Sequence, residues 1–135
     1  DARQLWYTDH MKNEELITEA QKNLNPATLS EKATAGQVAC VLVTDRGNKY
    51  YGVCIDTACS LGFCAETNAI GTMITNGESR IDTICAVNDK GAISPCGRCR
   101  ELMVQVNPGN KETKIVLGKD RATTLIELLP EHWLA

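Results

Sequence analysis

An α/β fold, a mixed sheet with helices on its faces, follows from three observations. Short segments rich in β-branched residues alternate with helical ones in the order ββαβαβα behind a first amphipathic helix. The joints between them are brief and made of turn residues such as Asp45-Arg46-Gly47-Asn48 and Asp89-Lys90-Gly91. No repeat, low-complexity stretch or long linker interrupts the series. At 135 residues the chain has the length of one domain, 1–135, with a single core.

From Asp9 to Leu24, the apolar residues Met11, Leu16, Ile17, Ala20 and Leu24 form an approximate helical stripe with Glu14, Glu15 and Glu19 off it. Asn25-Pro26 stops this helix, because proline lacks the amide donor and restricts the residue before it. Val38 to Thr44 and Lys49 to Asp56 read as a β-hairpin. A loop with Cys59, Ser60 and Gly62 then leads to Cys64, and Ala65 to Thr75 is a buried helix ended by Asn76-Gly77. Ile81 to Asn88 is a strand, and Pro95 opens a second helix running to about Val106. Lys114 to Leu117 is a short strand, and Thr124 starts a last short helix ending near Leu129-Pro130.

Composition excludes several functions. A net charge of -3 and 4% aromatic residues provide no basic stripe for a phosphate backbone, so a small molecule is the expected partner, not nucleic acid. The longest apolar run, Val38 to Val43, falls far short of the roughly 20 residues a membrane helix needs. Seven cysteines, an odd number, behind a polar stretch from Asp1 through Glu19 point to reduced thiols in a cytoplasmic protein. The chain begins at Asp1 and not Met, which leaves its natural start open. No dinucleotide or phosphate-loop pattern implies an organic cofactor.

Chemistry concentrates in two motifs, Cys64-Ala65-Glu66 and Pro95-Cys96-Gly97-Arg98-Cys99, both at predicted helix starts. Cys-x-x-Cys by itself has at least three readings, a redox pair, a pair of zinc ligands or two core thiols. A third thiol one strand and turn upstream favours zinc, held by Cys64, Cys96 and Cys99 with the fourth position of the tetrahedron open. If Cys54 or Cys59 closes that position, the zinc is structural instead. Glu66, two residues after a ligand, is within proton-exchange reach of a water on the metal without binding it, although a first-turn Glu also simply complements a helix dipole. Cys40 and Cys85 stand in apolar strand contexts and read as core; His10 and His132 lack partners at ligand spacing and read as surface or capping residues. Arg98, Arg100 and Glu101 read as helix surface.

Cys-x-Glu followed by Pro-Cys-x-x-Cys resembles the zinc deaminases. With Val38-Ala39-Cys40-Val41-Leu42-Val43-Thr44, Gly52-Val53-Cys54-Ile55-Asp56, Ser94-Pro95-Cys96-Gly97-Arg98-Cys99-Arg100 and Glu127-Leu128-Leu129-Pro130, the resemblance covers Val38 to Trp133. It is to the cytidine deaminase superfamily, in its small all-cysteine branch of cytidine and blasticidin S deaminases. That resemblance implies a three-layer α/β/α sandwich on a mixed sheet of about five strands, a homotetramer, a Zn2+ cofactor and a cytosine nucleoside, such as cytidine or deoxycytidine, as substrate. A role in nucleoside metabolism and pyrimidine salvage goes with it. Glu66 is then the catalytic acid/base, protonating ring N3 and later the leaving amine while water adds at C4. Ala65, Cys54, Asp56 and Ser94 fall on the substrate side, and Trp133 where an aromatic approaches a neighbouring subunit's pocket.

Three departures from the family pattern bear on substrate and metal. The arginine usual after the catalytic Glu is Thr67, leaving Arg98 or Arg100 to offset the thiolate charge. The ribose-binding Asn-x-Glu is Cys54-Ile55-Asp56, and Cys54 cannot make the same amide hydrogen bonds. Gly36 stands near the place of a substrate-stacking Phe. An altered substrate range follows, with a cytosine nucleoside antibiotic such as blasticidin S as the rival substrate. A structural zinc module is the rival from another class. A nucleic-acid editing deaminase is disfavoured by the acidic charge.

Overall fold

Residues 12–134 are described by the computed structural model, in the order α1 (Asn13–Gln21), β1 (Ala27–Ser30), β2 (Ala33–Thr44), β3 (Lys49–Thr57), α2 (Ala65–Thr75), β4 (Ile81–Asn88), β5 (Gly91–Ile93), α3 (Gly97–Val106), β6 (Lys114–Gly118), β7 (Arg121–Thr124) and α4 (Leu125–Leu128). Strand side chains alternate between faces, and here both faces are apolar. Ala39 and Val41 of β2, Cys85 and Val87 of β4 and Val116 of β6 pack with Leu16 and Ala20 of α1. The alternate residues, Cys40, Leu42, Ile84, Ala86 and Ile115, pack with α2 and α3 through Ala69, Ile70, Met73, Met103 and Val104. Strands buried on both sides need a layer over each. The expected α/β/α sandwich results.

Ala33, Thr34 and Ala35 pair with both β1 and β3, while Ala39 through Val43 pair with both β3 and β4, so β1 and β4 share one edge of β2. All pairs are antiparallel except β4 with β6. Among the described residues the sheet has seven strands, against the expected five or so. β1, β5 and β7 are three or four residues long, too short to show a two-residue period, and Gly91 of β5 reads in sequence as part of a turn.

Two boundaries differ from expectation by more than two residues, and the helix expected to open at Pro95 begins at Gly97. β2 starts five residues before Val38, because a register shift between Ala35 and Ala39 carries the strand through Gly36. Gly36 has φ +84°, and a Cβ there would lie 2.0 Å from the Asn25 carbonyl oxygen. No aromatic side chain can stand at this position. In α1, regular structure stops at Gln21, after which Asn23 and Leu24 turn back with bonds to the carbonyls of Ala20 and Gln21. The proposed start of this helix, Asp9 through Met11, and His10 lie outside the described residues. Among the described residues no helix is long and apolar enough to cross a membrane.

Candidate active site

α2 and α3 bring their N-termini together at one end of the sheet. Gly52 of β3 makes this approach possible: a Cβ there would sit 2.5 Å from both the Ala65 carbonyl oxygen and the Ala69 nitrogen, so only glycine lets α2 lie directly on β3. Cys64 and Cys96 are the N-cap residues, with extended backbones at φ -71°, ψ 159° and φ -68°, ψ 165°. The two thiols turn to each other, with Sγ atoms 3.5 Å apart. Cys99, fully buried, completes a trio whose sulfurs all lie within 4.8 Å of one another. Tetrahedral zinc with Zn–S near 2.3 Å has sulfur–sulfur edges of about 3.8 Å, so the donor set fits that ion in chemistry and in size. Cys54 and Cys59 are not in the cluster. Cys54 Sγ accepts the Val38 N–H at 3.3 Å and donates to Gln37 Oε1 at 3.4 Å. Among the described residues, no fourth thiol closes the shell.

The sulfurs differ electrostatically. Burial pushes the Cys64 and Cys99 thiols up, Cys99 further because the Glu66 carboxylate stands beside it. Burial also raises Cys96, but the backbone N–H groups of Cys99 and Arg98 and the neighbouring thiols outweigh it, and its pKa is lowered. An N-cap thiol among helix N–H donors behaves so. Cys40 and Cys85, buried in strands without such donors, are both pushed up by burial, Cys85 to about 12, and serve as packing, in line with the sequence reading.

Glu66 is only 4% exposed and accepts a hydrogen bond from Cys99 Sγ at 3.3 Å. It forms the floor of a cleft of about 540 Å³, together with Cys64 and Cys96, and Ala65, Cys54, Asp56 and Ser94 are in its walls. Cavities of this size hold a nucleoside-sized molecule. Trp133 is not in the cleft of its own chain: the residue is 82% exposed and its backbone N–H donates to Glu101 Oε1 at 2.9 Å.

The wall also holds residues that the sequence reading did not place there, among them Gln37, Phe63 and Arg98. Phe63 is fixed by reciprocal backbone bonds with Ile55 at 2.9 and 3.0 Å, and it places an aromatic in the cleft although Gly36 forbids one in β2. The signal was present: it is the one Phe in the chain and it directly precedes Cys64. Arg100 is not the charge offset considered above, nor plain helix surface. Its guanidinium donates to Pro95 O, Leu128 O and Ser94 Oγ and to none of the sulfurs. Thr67, in the usual arginine's place, brings Oγ1 to 3.7 Å from Cys99 Sγ.

A mixed sheet between helical layers, with a three-thiol centre and a buried carboxylate at the foot of a cleft, defines a metal-site α/β protein of deaminase type. The family model of the cytidine and deoxycytidylate deaminase zinc-binding region matches residues 11–116. A cytidine deaminase of Sporosarcina psychrophila is 29% identical over 87% of this chain and 88% of its own. A blasticidin-S deaminase of Bacillus cereus is 40% identical over 50% of this chain, which spans about half, 54%, of that relative. Among solved structures, the cytidine deaminase of Burkholderia pseudomallei superposes with a TM-score of 0.73 at 28% identity, over 91% of this chain and 100% of the other. The chain belongs to the cytidine and deoxycytidylate deaminase family.

Proposed function

We propose that this protein is a zinc-dependent hydrolytic deaminase of a free cytosine nucleoside, cytidine, deoxycytidine or a close analogue. The observation that carries this reading is a carboxylate buried to 4% beside three clustered thiols, at the floor of a cleft of nucleoside size. Cys64, Cys96 and Cys99 would hold the zinc. When bound, zinc supplies Lewis acidity and a water that deprotonates near neutral pH. Glu66 would accept a proton from the attacking water and donate it to ring N3 as the oxygen adds at C4. It would then take the remaining proton of the added hydroxyl and pass it to the departing amine, so that the C4 carbonyl forms as the C4–N bond breaks. Cytosine plus water becomes uracil plus ammonia, with no other reactant. Ala65 and Ser94 flank the reacting ring, while Cys54 and Asp56 lie where the sugar is expected.

A second reading within the same chemistry is deamination of a cytosine nucleoside antibiotic. Both hydrogen-bonding directions of Cys54 are engaged inside the protein, with Val38 and Gln37, so it offers a sugar little. The Bacillus cereus relative carries the name of such an enzyme. The test is ammonia release from cytidine, deoxycytidine, cytosine and blasticidin S by zinc-loaded protein. We expect turnover of at least one, reduced about 1000-fold in Glu66→Gln at unchanged zinc content. Silence across the panel, or turnover that survives the substitution, overturns the reading. The odd number of cysteines, seven, is the sequence feature that favours reduced thiols and a cytoplasmic location. The exposed Trp133 supports a homotetramer in which it serves a neighbouring copy, and a monomer by light scattering refutes that part.

A further inference from the structure

The turn that leads into α3 carries a cleft-wall residue, Ser94, and a metal-ligand candidate, Cys96, on a stretch with no regular structure of its own. Arg100 Nε donates to Pro95 O at 2.8 Å, Nη2 to Ser94 Oγ at 3.0 Å and Nη1 to Leu128 O at 3.0 Å. The last acceptor belongs to the final turn of α4, whose terminal carbonyls have no partner within the helix. One planar, rigid guanidinium thus joins the metal helix, the turn before it and the C-terminal segment, which a lysine ammonium on a flexible stem cannot match. Next to it, Glu101 accepts the Trp133 N–H and ties the same segment to α3 a second time.

We propose that Arg100 is a positioning residue: it fixes Ser94 in the cleft as a hydrogen-bond donor and makes that placement depend on the C-terminal segment through Leu128. The donor assignment follows from the chemistry of a hydroxyl. Ser94 Oγ accepts from the guanidinium, which has only donors, so its own O–H is left to point to another acceptor. An exocyclic oxygen or ring nitrogen of a bound ligand is such an acceptor. The functional consequence rests on the deaminase reading above; the structural one does not.

The experiment compares wild type, Arg100→Gln, Arg100→Lys, Ser94→Ala and the Arg100→Gln/Ser94→Ala double variant as zinc-loaded full chains. Hydrogen exchange at residues 94–97 and 128–133 is followed together with kcat and KM on whichever nucleoside wild type turns over. Arg100→Gln is expected to speed exchange in both segments together and to lower kcat/KM about tenfold or more. Millimolar methylguanidinium should restore most of both, and Lys should restore neither. Ser94→Ala should cost a similar factor in kcat/KM, and the double variant no more than Arg100→Gln alone. Multiplicative losses in the double variant, absence of rescue, or exchange that changes in one segment only overturns the proposal. If Arg100→Gln does not fold, Arg100→Lys decides it: unchanged exchange in both segments refutes the proposal. A wild type that deaminates nothing removes the deaminase reading, while the exchange and rescue results still decide the role of Arg100.

Discussion

On the α1 side of the sheet, Leu16 and Ala20 meet Ala39, Val41, Cys85, Val87 and Val116, a contact of aliphatic side chains and one thiol. On the other side the same strands meet α2 and α3, and there Glu66 and Cys99 are buried within the packing. The difference shows what makes a cysteine a ligand. Burial is common to both sides and only pushes thiols up, as at Cys40 and Cys85. Cys64, Cys96 and Cys99 differ in standing where two helix N-termini aim at one point, and at Cys96 the backbone donors there lower the thiol in spite of its burial. One face is built for packing, and the other spends packing positions on chemistry.

The largest expected effect that sharpens this contrast comes from one cavity on each face. Leu16→Ala and Ile70→Ala both remove a buried aliphatic side chain, and each should lower unfolding free energy by about 3 kcal/mol in denaturant titrations. Only Ile70 lies on α2, one turn beyond Glu66. Ile70→Ala should therefore also weaken zinc binding and turnover, while Leu16→Ala leaves both within twofold at temperatures where it is folded. An equal loss of zinc affinity in both variants would break the division between the faces.

A smaller effect tests how the thiolate charge is offset. Thr67 sits on α2 beside Cys99, and its hydroxyl is, among the described residues, the polar side-chain group apart from Glu66 and the other thiols within hydrogen-bond reach of that sulfur. Thr67→Val keeps the shape and deletes the donor. Zinc affinity measured by chelator competition should fall about tenfold, roughly 1.4 kcal/mol, with a shifted thiolate charge-transfer band in the cobalt-substituted protein. Thr67→Ser should retain both. No change in Thr67→Val would mean that the helix N-termini alone carry the offset.

Much of this was legible in the sequence, for reasons visible at particular residues. Cys64 and Glu66 at the start of a helix ended by Asn76-Gly77 appear as expected, because caps and glycine stops are local signals. Ala65, Cys54, Asp56 and Ser94 reach one cleft, since short motifs at strand ends and helix starts converge in this architecture. The bulge at Gly36 was not legible: it depends on the Asn25 carbonyl, a contact between segments that no local pattern records. The same holds for Arg100, whose three acceptors lie 5, 6 and 28 residues away. Helix periodicity puts it on a surface, and only the fold shows that Ser94 and Leu128 meet it there.

The smallest effect concerns the polar tie at the rim of the α1 face. Tyr51 of β3 donates its hydroxyl to the Glu19 carboxylate of α1, and Lys49 Nζ approaches both carboxylate oxygens at 3.1 and 3.2 Å. The hydrogen bond to Glu19 is the main cause that raises Tyr51 to about 12, and the same bond is the main cause that lowers Glu19. A raised pKa in the folded state means the folded form holds that proton more tightly, so the contribution is complete below pH 10 and disappears as pH rises toward 12. A lowered carboxylate has the opposite sign: its contribution is present above the unfolded value near 4.5 and disappears as pH falls through the folded one. Tyr51 is 38% exposed, so solvent holds the whole effect below about 1 kcal/mol. Tyr51→Phe should thus cost little at pH 7 and flatten the thermal-stability profile between pH 10 and 12, whereas Lys49→Met should keep the alkaline loss. If Tyr51→Phe costs as much as Leu16→Ala, α1 is held by this rim contact and not by burial, and the account of that face as plain packing fails.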